Sequence, residues 1–179
     1  MEIYSPLEDS FMFSNFLNEY LSRTKEARNI RYLDMGCGSV ILSEVVSEFI
    51  SKENILCVDI NKDAVKLAKS KKFHAIRSNL FSKVPRKKFD LITFNAPYLP
   101  EDKEKEPLES KLITTGGKRG DEISIEFLKQ AKNYLKKDGK IFLLISSLTP
   151  LDKINKFKPR MVAEKNLFFE KLLILEFSF

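Results

Sequence analysis

An α/β fold is predicted: a seven-stranded, mostly parallel sheet flanked by helices, with an antiparallel C-terminal strand. Three observations predict it. Short apolar runs alternate with helix-period segments along the chain. One early run ends in a glycine-rich turn, Asp34-Met35-Gly36-Cys37-Gly38-Ser39, which opens into a helical pattern. The last two runs are only a few residues apart, so they should pair as an antiparallel hairpin. A length of 179 residues suits one domain, spanning 1–179, with a proper core.

Taken in order, Tyr4-Ser5-Pro6-Leu7-Glu8-Asp9-Ser10 reads as an irregular opening segment. Phe11, Met12, Phe13, Phe16, Leu17, Tyr20 and Leu21 then recur at helical spacing, with Asp9 or Ser10 as the cap. The N-terminus of such a helix suits an anionic group such as a carboxylate. Ile30 to Leu33 predicts the first strand, and Val40 to Ile50 the helix after the glycine turn. Strand, glycine loop and helix make the nucleotide-binding opening of a Rossmann-like sheet. Glycines there let a ligand approach the backbone closely. Val40 stands near where a third glycine of a dinucleotide fingerprint would fall.

Ile55 to Val58 predicts the second strand, ending in Asp59-Ile60-Asn61. An acid about 20 residues past the glycine loop is placed to accept from ribose hydroxyls. Loop plus acid fits either NAD or S-adenosylmethionine. Asn61 to Lys71 predicts a short helix, and Phe73 to Arg77 a short third strand followed by Asn79-Leu80. His74, the only histidine, reads as structural.

Phe89 to Phe94 reads as a buried strand, and Asn95-Ala96-Pro97-Tyr98 follows it. Open α/β sheets place their chemistry at such strand ends. Asn95 offers an acceptor oxygen and the Ala96 carbonyl a second. Pro97 fixes its own φ and pushes Ala96 towards extended geometry. Tyr98 supplies a flat face. Two acceptors and a ring suit a planar substrate bearing an –NH2, either an amide or an exocyclic amine.

Beyond the motif, Glu101 to Glu109 reads as a mobile charged loop. Thr114 to Gly120, rich in glycine and basic, reads as a lid over substrate. Asp121 to Lys137 predicts an amphipathic helix, with Lys136-Lys137 at its end and Gly139 as terminator. Ile141 to Ile145 predicts an apolar strand, and Ser147 and Pro150 a short helix. Arg160 to Glu164 and Leu167 to Phe177 predict the closing hairpin.

Composition narrows the class. Hydrophobic content of 43% with 31% charged residues is that of a globular chain. No apolar run reaches membrane-spanning length, and the N-terminus carries no secretory pattern. Cys37 and Cys57 are too few for a disulfide framework and lack metal-site spacing, so no metal is expected. A reducing cytoplasm is the expected setting. The net charge of +6 admits an acidic partner such as RNA, but the lysines are scattered among glutamates.

Together these segments resemble a class I S-adenosylmethionine-dependent methyltransferase of the HemK-like branch with an N-P-P-Y motif. Within it they resemble the archaeal and eukaryotic enzymes that modify the glutamine of the Gly-Gly-Gln motif in class I translation termination factors. Tyr4-x-Pro6-x-Glu8-Asp9-Ser10 is similar to the entry motif, and Asp34-x-Gly36-x-Gly38-Ser39 to the cofactor loop. Asp59-Ile60-Asn61 is similar to the ribose strand, and Asn95-Ala96-Pro97-Tyr98 to the catalytic motif. Gly116-Gly117-Lys118-x-Gly120 is similar to the loop after it, and Glu170 to Phe177 to the last strand. Three residues depart from the pattern: Ala96 for a proline, Val40 for a glycine and Asn79 for an aspartate. Ala96 keeps the carbonyl but loses rigidity. Val40 is expected to crowd the methionine end of the cofactor. Asn79 would accept from the adenine amine without charge, hence more weakly.

The resemblance implies S-adenosyl-L-methionine as cofactor. Asp59 and Ile60 would hold the ribose, and Asn79 and Leu80 the adenine. Asp34, Gly36, Cys37 and Gly38, with Asp9 and Ser10, would hold the methionine moiety, and Tyr4, Pro6 and Asn95 would also bind the cofactor. Asn95, Ala96, Pro97 and Tyr98 would act on a substrate amide. It also implies a class I peptide chain release factor as substrate and a small zinc-binding activator at the third-strand edge, near Phe73 to Arg77. Rival readings are N-methylation of a base amine in RNA or DNA, lysine methylation, an NAD-binding oxidoreductase, and a non-catalytic binding subunit with this fold.

Overall fold

The computed structural model describes residues 7–101 and 115–179. Tyr4 and Pro6 of the entry segment, and 102–109 of the charged loop, lie outside the described residues. The chain runs α1 (Glu8–Ser22), β1 (Tyr32–Met35), α2 (Ile41–Val46), β2 (Ile55–Asp59), α3 (Lys62–Ser70), β3 (His74–Arg77) and β4 (Phe89–Asn95). It continues with α4 (Glu122–Ala131), β5 (Leu135–Ser146), β6 (Arg160–Asn166) and β7 (Lys171–Phe177). The strands form one seven-stranded sheet in the order β3-β2-β1-β4-β5-β7-β6. β3, β2, β1, β4 and β5 are parallel, and β7 pairs antiparallel with both β5 and β6.

The side-chain period of two fills both faces of the sheet. On β5, Ile141, Leu143 and Ile145 enter one core with Phe127 and Leu128 of α4. Phe142 and Leu144 enter the other, with Phe13, Leu17 and Leu21 of α1. β4 divides likewise, Ile92 and Phe94 to the first core and Leu91 to the second. Central strands covered on both faces should be apolar throughout, and this accounts for the runs in the sequence.

Four sequence expectations are corrected. α1 begins at Glu8, with Leu7 at the cap position and no side-chain cap. Asp9 and Ser10 lie inside its first turn and are buried. The helix expected over 121–137 stops at Ala131. Leu135 pairs with Phe89 across an irregularity in register, and Asp138 takes a left-handed φ of 64°. Leucine at 135 satisfies either pattern, and pairing with β4 wins. The helix after Ser147 is a single 3-10 turn, Ile154–Phe157.

The fourth correction concerns the glycine-rich loop. Its described part, 115–120, packs behind the Pro97–Leu99 backbone rather than forming a lid. Leu99 bridges Thr115, Gly116 N–H donates to the Leu99 carbonyl at 2.9 Å, and Glu101 N–H donates to the Gly117 carbonyl at 2.9 Å. A Cβ on Gly116 would lie 2.5 Å from the Pro97 carbonyl oxygen and would also strike the Gly120 carbonyl. Glycine is therefore required by close backbone approach.

Candidate active site

Asn95 is the last residue of β4, at the carboxyl end of the parallel strands. Its Nδ2 donates to Asp9 Oδ2 at 3.1 Å and lies 3.4 Å from Ser10 Oγ. Both acceptors come from the first turn of α1, so the helix fixes which way the amide faces. Asn95 Oδ1 is buried and accepts no hydrogen bond among the described residues. An unmet buried acceptor costs roughly 1–3 kcal/mol. The site thus carries an open demand for one N–H donor.

Ala96 is buried at 2% exposure, while Pro97 and Tyr98 are half-buried. Thr149 Oγ1 donates to the Tyr98 carbonyl at 3.3 Å, holding the motif from the β5 side. Burial, then the carboxylates of Asp9 and Glu170, push the Tyr98 phenol well above its usual range. It stays protonated at neutral pH and serves as a ring rather than a base.

A cavity of about 690 Å³ opens at this strand end. Ligand pockets commonly hold roughly 300–1,000 Å³. Asp9, Ser10, Asn95, Ala96, Pro97 and Tyr98 line one part, and Gly36, Cys37, Gly38, Asp59, Ile60, Asn79 and Leu80 another. Every sequence-predicted site residue among the described ones reaches the wall, save one. Asp34 is the correction. It is buried at 1% exposure beneath the loop, where Ser43 Oγ donates to its Oδ2 at 2.6 Å. Burial raises its pKa to about 7, against the Ser43 hydrogen bond. It supports the loop from below.

Asp59 ties three segments together. Its Oδ2 accepts from Gly38 N–H at 2.9 Å and its Oδ1 from Asn61 N–H at 2.7 Å. Asn61 in turn caps α3, accepting from Asp63 N–H at 2.9 Å. Gly36 takes a φ of 65°, and a Cβ there would meet the Phe94 ring at 2.9 Å. Cys37 and Cys57 are both reduced. The Cys37 thiol is pushed far up, first by its hydrogen bond to Cys57 and then by burial, so it is no nucleophile.

Val40 corrects another expectation. It is fully buried in the core and does not line the cavity, so it does not crowd a ligand. It adopts φ 70°, ψ 9° at the start of α2, a left-handed conformation that costs a non-glycine residue about 1–2 kcal/mol. The departure from glycine is felt in the backbone.

Among the wall residues that the sequence did not point to are Ser78, and Glu122, Ile123 and Glu126 of α4. Ser78 directly precedes Asn79 and was within reach of the same argument. Glu122 and Glu126 repeat at one-turn spacing beside Ile123, but that pattern equally describes the rim of any amphipathic helix.

The residues present fit an adenosine-bearing ligand. One carboxylate, Asp59, and one exposed amide, Asn79, flank walls built from Leu80, Ile60, Met35 and Ala64. Beyond them lies the corner at Asn95, with its unmet acceptor oxygen.

Comparison with known proteins agrees with this geometry. The family model described as methyltransferase small domain matches residues 12–170. A Methanocaldococcus jannaschii protein, provisionally named as a protein N5-glutamine methyltransferase, is 37% identical over 97% of this chain and 90% of its own length. The Schizosaccharomyces pombe eRF1 methyltransferase catalytic subunit is 25% identical over 86% of this chain and 76% of its own. Among solved structures, the E. cuniculi Mtq2–Trm112 complex, named for methylation of the eRF1 termination factor, superposes with a TM-score of 0.76. It has 18% identity and covers 99% of both chains. The T. thermophilus 16S rRNA N2 G1207 methyltransferase, bound to AdoMet and guanosine, gives a TM-score of 0.64 at 16% identity, over 97% of this chain and 44% of that one.

Proposed function

From the premise that this chain belongs to the methyltransferase small-domain family, we propose that it methylates the side-chain amide nitrogen of the glutamine in the Gly-Gly-Gln motif of a class I translation termination factor. The methyl donor is S-adenosyl-L-methionine, as in neighbours solved with it. When bound, it supplies an electrophilic methyl group.

The observation that carries the reading is the unmatched Asn95 Oδ1. An amide nitrogen is a poor nucleophile because its lone pair is delocalised into the carbonyl. Asn95 Oδ1 and the Ala96 carbonyl accept its two N–H hydrogens. That holds the nitrogen in place, favours its pyramidal form and stabilises positive charge as it develops. Asp9 and Ser10 keep the Asn95 oxygen aimed. Tyr98 packs on the amide plane. No base is required before transfer, and the methylated nitrogen sheds one of its N–H protons to water afterwards. Asp59 and Ile60 take the ribose, Asn79 and Leu80 the adenine, and the Gly36–Gly38 turn the methionine end.

A small zinc-binding activator at the β3 edge belongs to the same proposal, prompted by the Mtq2–Trm112 assembly. β3 is an edge strand with one unpaired side. Its Ala75 and Ile76 are only half-buried, and Phe73 is covered, so the edge offers backbone more than apolar surface. The setting we assign is the cytoplasm, where termination occurs.

The test is methyl transfer from labelled adenosylmethionine to a purified class I release factor, with the activator present. Label that depends on the Gly-Gly-Gln glutamine is the expected result. Label on the factor without that glutamine would move the target elsewhere. Cofactor binding with no label would turn attention to base amines and lysine.

A further inference from the structure

The β6–β7 hairpin ends in an aromatic knob beside the active site. Phe168 and Phe169 are 93% and 87% exposed, with their rings edge to face at 4.9 Å. Two phenylalanines so exposed need an explanation. The knob stands at the same sheet end as Asn95: β7 starts beside Ser146 at the end of β5, and Asn95 pairs with Leu144 of that strand.

The turn that carries the knob is tied down at its base. Leu167 N–H donates to the Glu170 carbonyl at 2.8 Å, closing the turn. Ser147 N–H donates to the Lys171 carbonyl at 2.7 Å, and Lys171 N–H to Ser147 Oγ at 2.9 Å. Ser146 Oγ donates to the Glu170 carboxylate. Lys165 pairs with Glu8, the first residue of α1, which precedes Asp9 and Ser10. The hairpin is thus anchored on one side to the Tyr98 neighbourhood and on the other to the helix that aims Asn95.

The knob continues an apolar rim. Leu7 and Leu99 line the cavity and are 58% and 37% exposed, and Leu148, two residues beyond β5, is 54% exposed. Three described basic groups around the knob are engaged. Arg119 pairs with Asp121 and Asp152, Lys165 with Glu8, and Lys171 with Glu164. A nucleic-acid partner would call for cations free to meet phosphates. An apolar rim with paired charges fits a protein.

We infer that Phe168 and Phe169 are the docking anchor for the protein substrate, seated in an apolar cleft of the release factor beside its glutamine-bearing loop. This rests on the function proposed above. Any substrate whose amide reaches Asn95 must cross the rim that the knob extends. An aromatic pair on an anchored turn, with two rotatable bonds in each side chain, loses little conformational freedom on binding, which is the property of an interface hot spot.

The test is steady-state methylation of full-length release factor by the active complex, comparing the parent with Phe168→Ser/Phe169→Ser and with Phe168→Ser alone. The expected result is a rise in KM of about tenfold or more in the double variant. The kcat at saturating factor and the adenosylmethionine affinity should be unchanged. Parent activity with an unchanged KM in the double variant would overturn the anchor and leave the proposed function standing. So would a dimeric parent made monomeric with its KM unchanged, since the knob would then serve self-association. So would a lost, salt-dependent affinity for RNA. A parent that transfers no methyl to the factor would overturn the proposed function and the anchor with it.

Discussion

Asn95 Nδ2 sits 3.1 Å from Asp9 Oδ2, across 86 residues of sequence. The contact turns the amide so that its oxygen, not its nitrogen, is left unmet, as the proposed mechanism requires. Asn95→Ala should lower kcat by about 10²–10³-fold, the range for loss of one aimed group at a charge-developing centre. Adenosylmethionine affinity by calorimetry should barely move. A kcat near the parent's in this variant would refute the mechanism.

Asp9 acts through Asn95. Asp9→Ala should lower kcat by about tenfold, less than loss of Asn95 itself, because the oxygen survives but its aim is lost. Double-mutant kinetics provide the check. On an Asn95→Ala background, Asp9→Ala should have little further effect on kcat, and additive losses would separate the two residues.

Asp34 makes stability depend on pH. Its buried carboxyl has a pKa of about 7 in the folded chain, against an ordinary value of 3.8. The folded state therefore holds a proton that the unfolded state releases. The stabilisation is full below about pH 4 and is lost as pH rises through 7, an effect on the order of a few kcal/mol. Asp34→Asn keeps an acceptor for Ser43 and removes the titration. Urea melts from pH 5 to 8 should show a falling slope in the parent and a flatter one in the variant. Equal slopes would assign the dependence to other groups.

Val40→Gly sets two effects against each other. It relieves about 1–2 kcal/mol of left-handed strain. It removes a fully buried side chain worth about 1.5–3 kcal/mol. Burial wins, so the variant should be less stable by about 1 kcal/mol, or roughly 2–4 °C in Tm. Calorimetry should show unchanged cofactor affinity, since Val40 does not line the cavity. A clear gain in affinity would mean that the side chain does obstruct the ligand.

Gly116→Ala forces a Cβ against the Pro97 carbonyl oxygen at 2.5 Å and against the Gly120 carbonyl. Backbone lies on both sides, so the catalytic motif must shift. A shift approaching 1 Å costs about 10²-fold in rate. The kcat should fall by that order while cofactor affinity holds. Normal kcat would show that the loop does not set the motif.

Much of this site was legible in sequence because it lies at strand ends, where local pattern and function coincide. Asn95 follows an apolar run, and Asp59 closes another. The partnership of Asp9 with Asn95 was not legible. It depends on α1 starting two or three residues earlier than a cap at Asp9 or Ser10 would place it, which puts those residues inside the first turn. The end of α4 was misplaced because Leu135 fits a helix face and a strand alike, and only pairing with Phe89 decides between them. The glycine loop reads as flexible from composition. Its glycines are instead set by the closeness of the Pro97 carbonyl, a distance that no local pattern encodes.

The strand order has a bearing on how such a protein can diversify. β4 is a seam: β1 to β3, with the cofactor residues, lie to one side, and β5, β7 and β6 to the other. The hairpin enters the sheet last and antiparallel, which brings its tip round to the catalytic end. Mutations in the tip can therefore redraw the choice of acceptor protein while the donor half goes untouched. Descendants of one ancestral enzyme could acquire new targets by rewriting a few residues between Asn166 and Lys171.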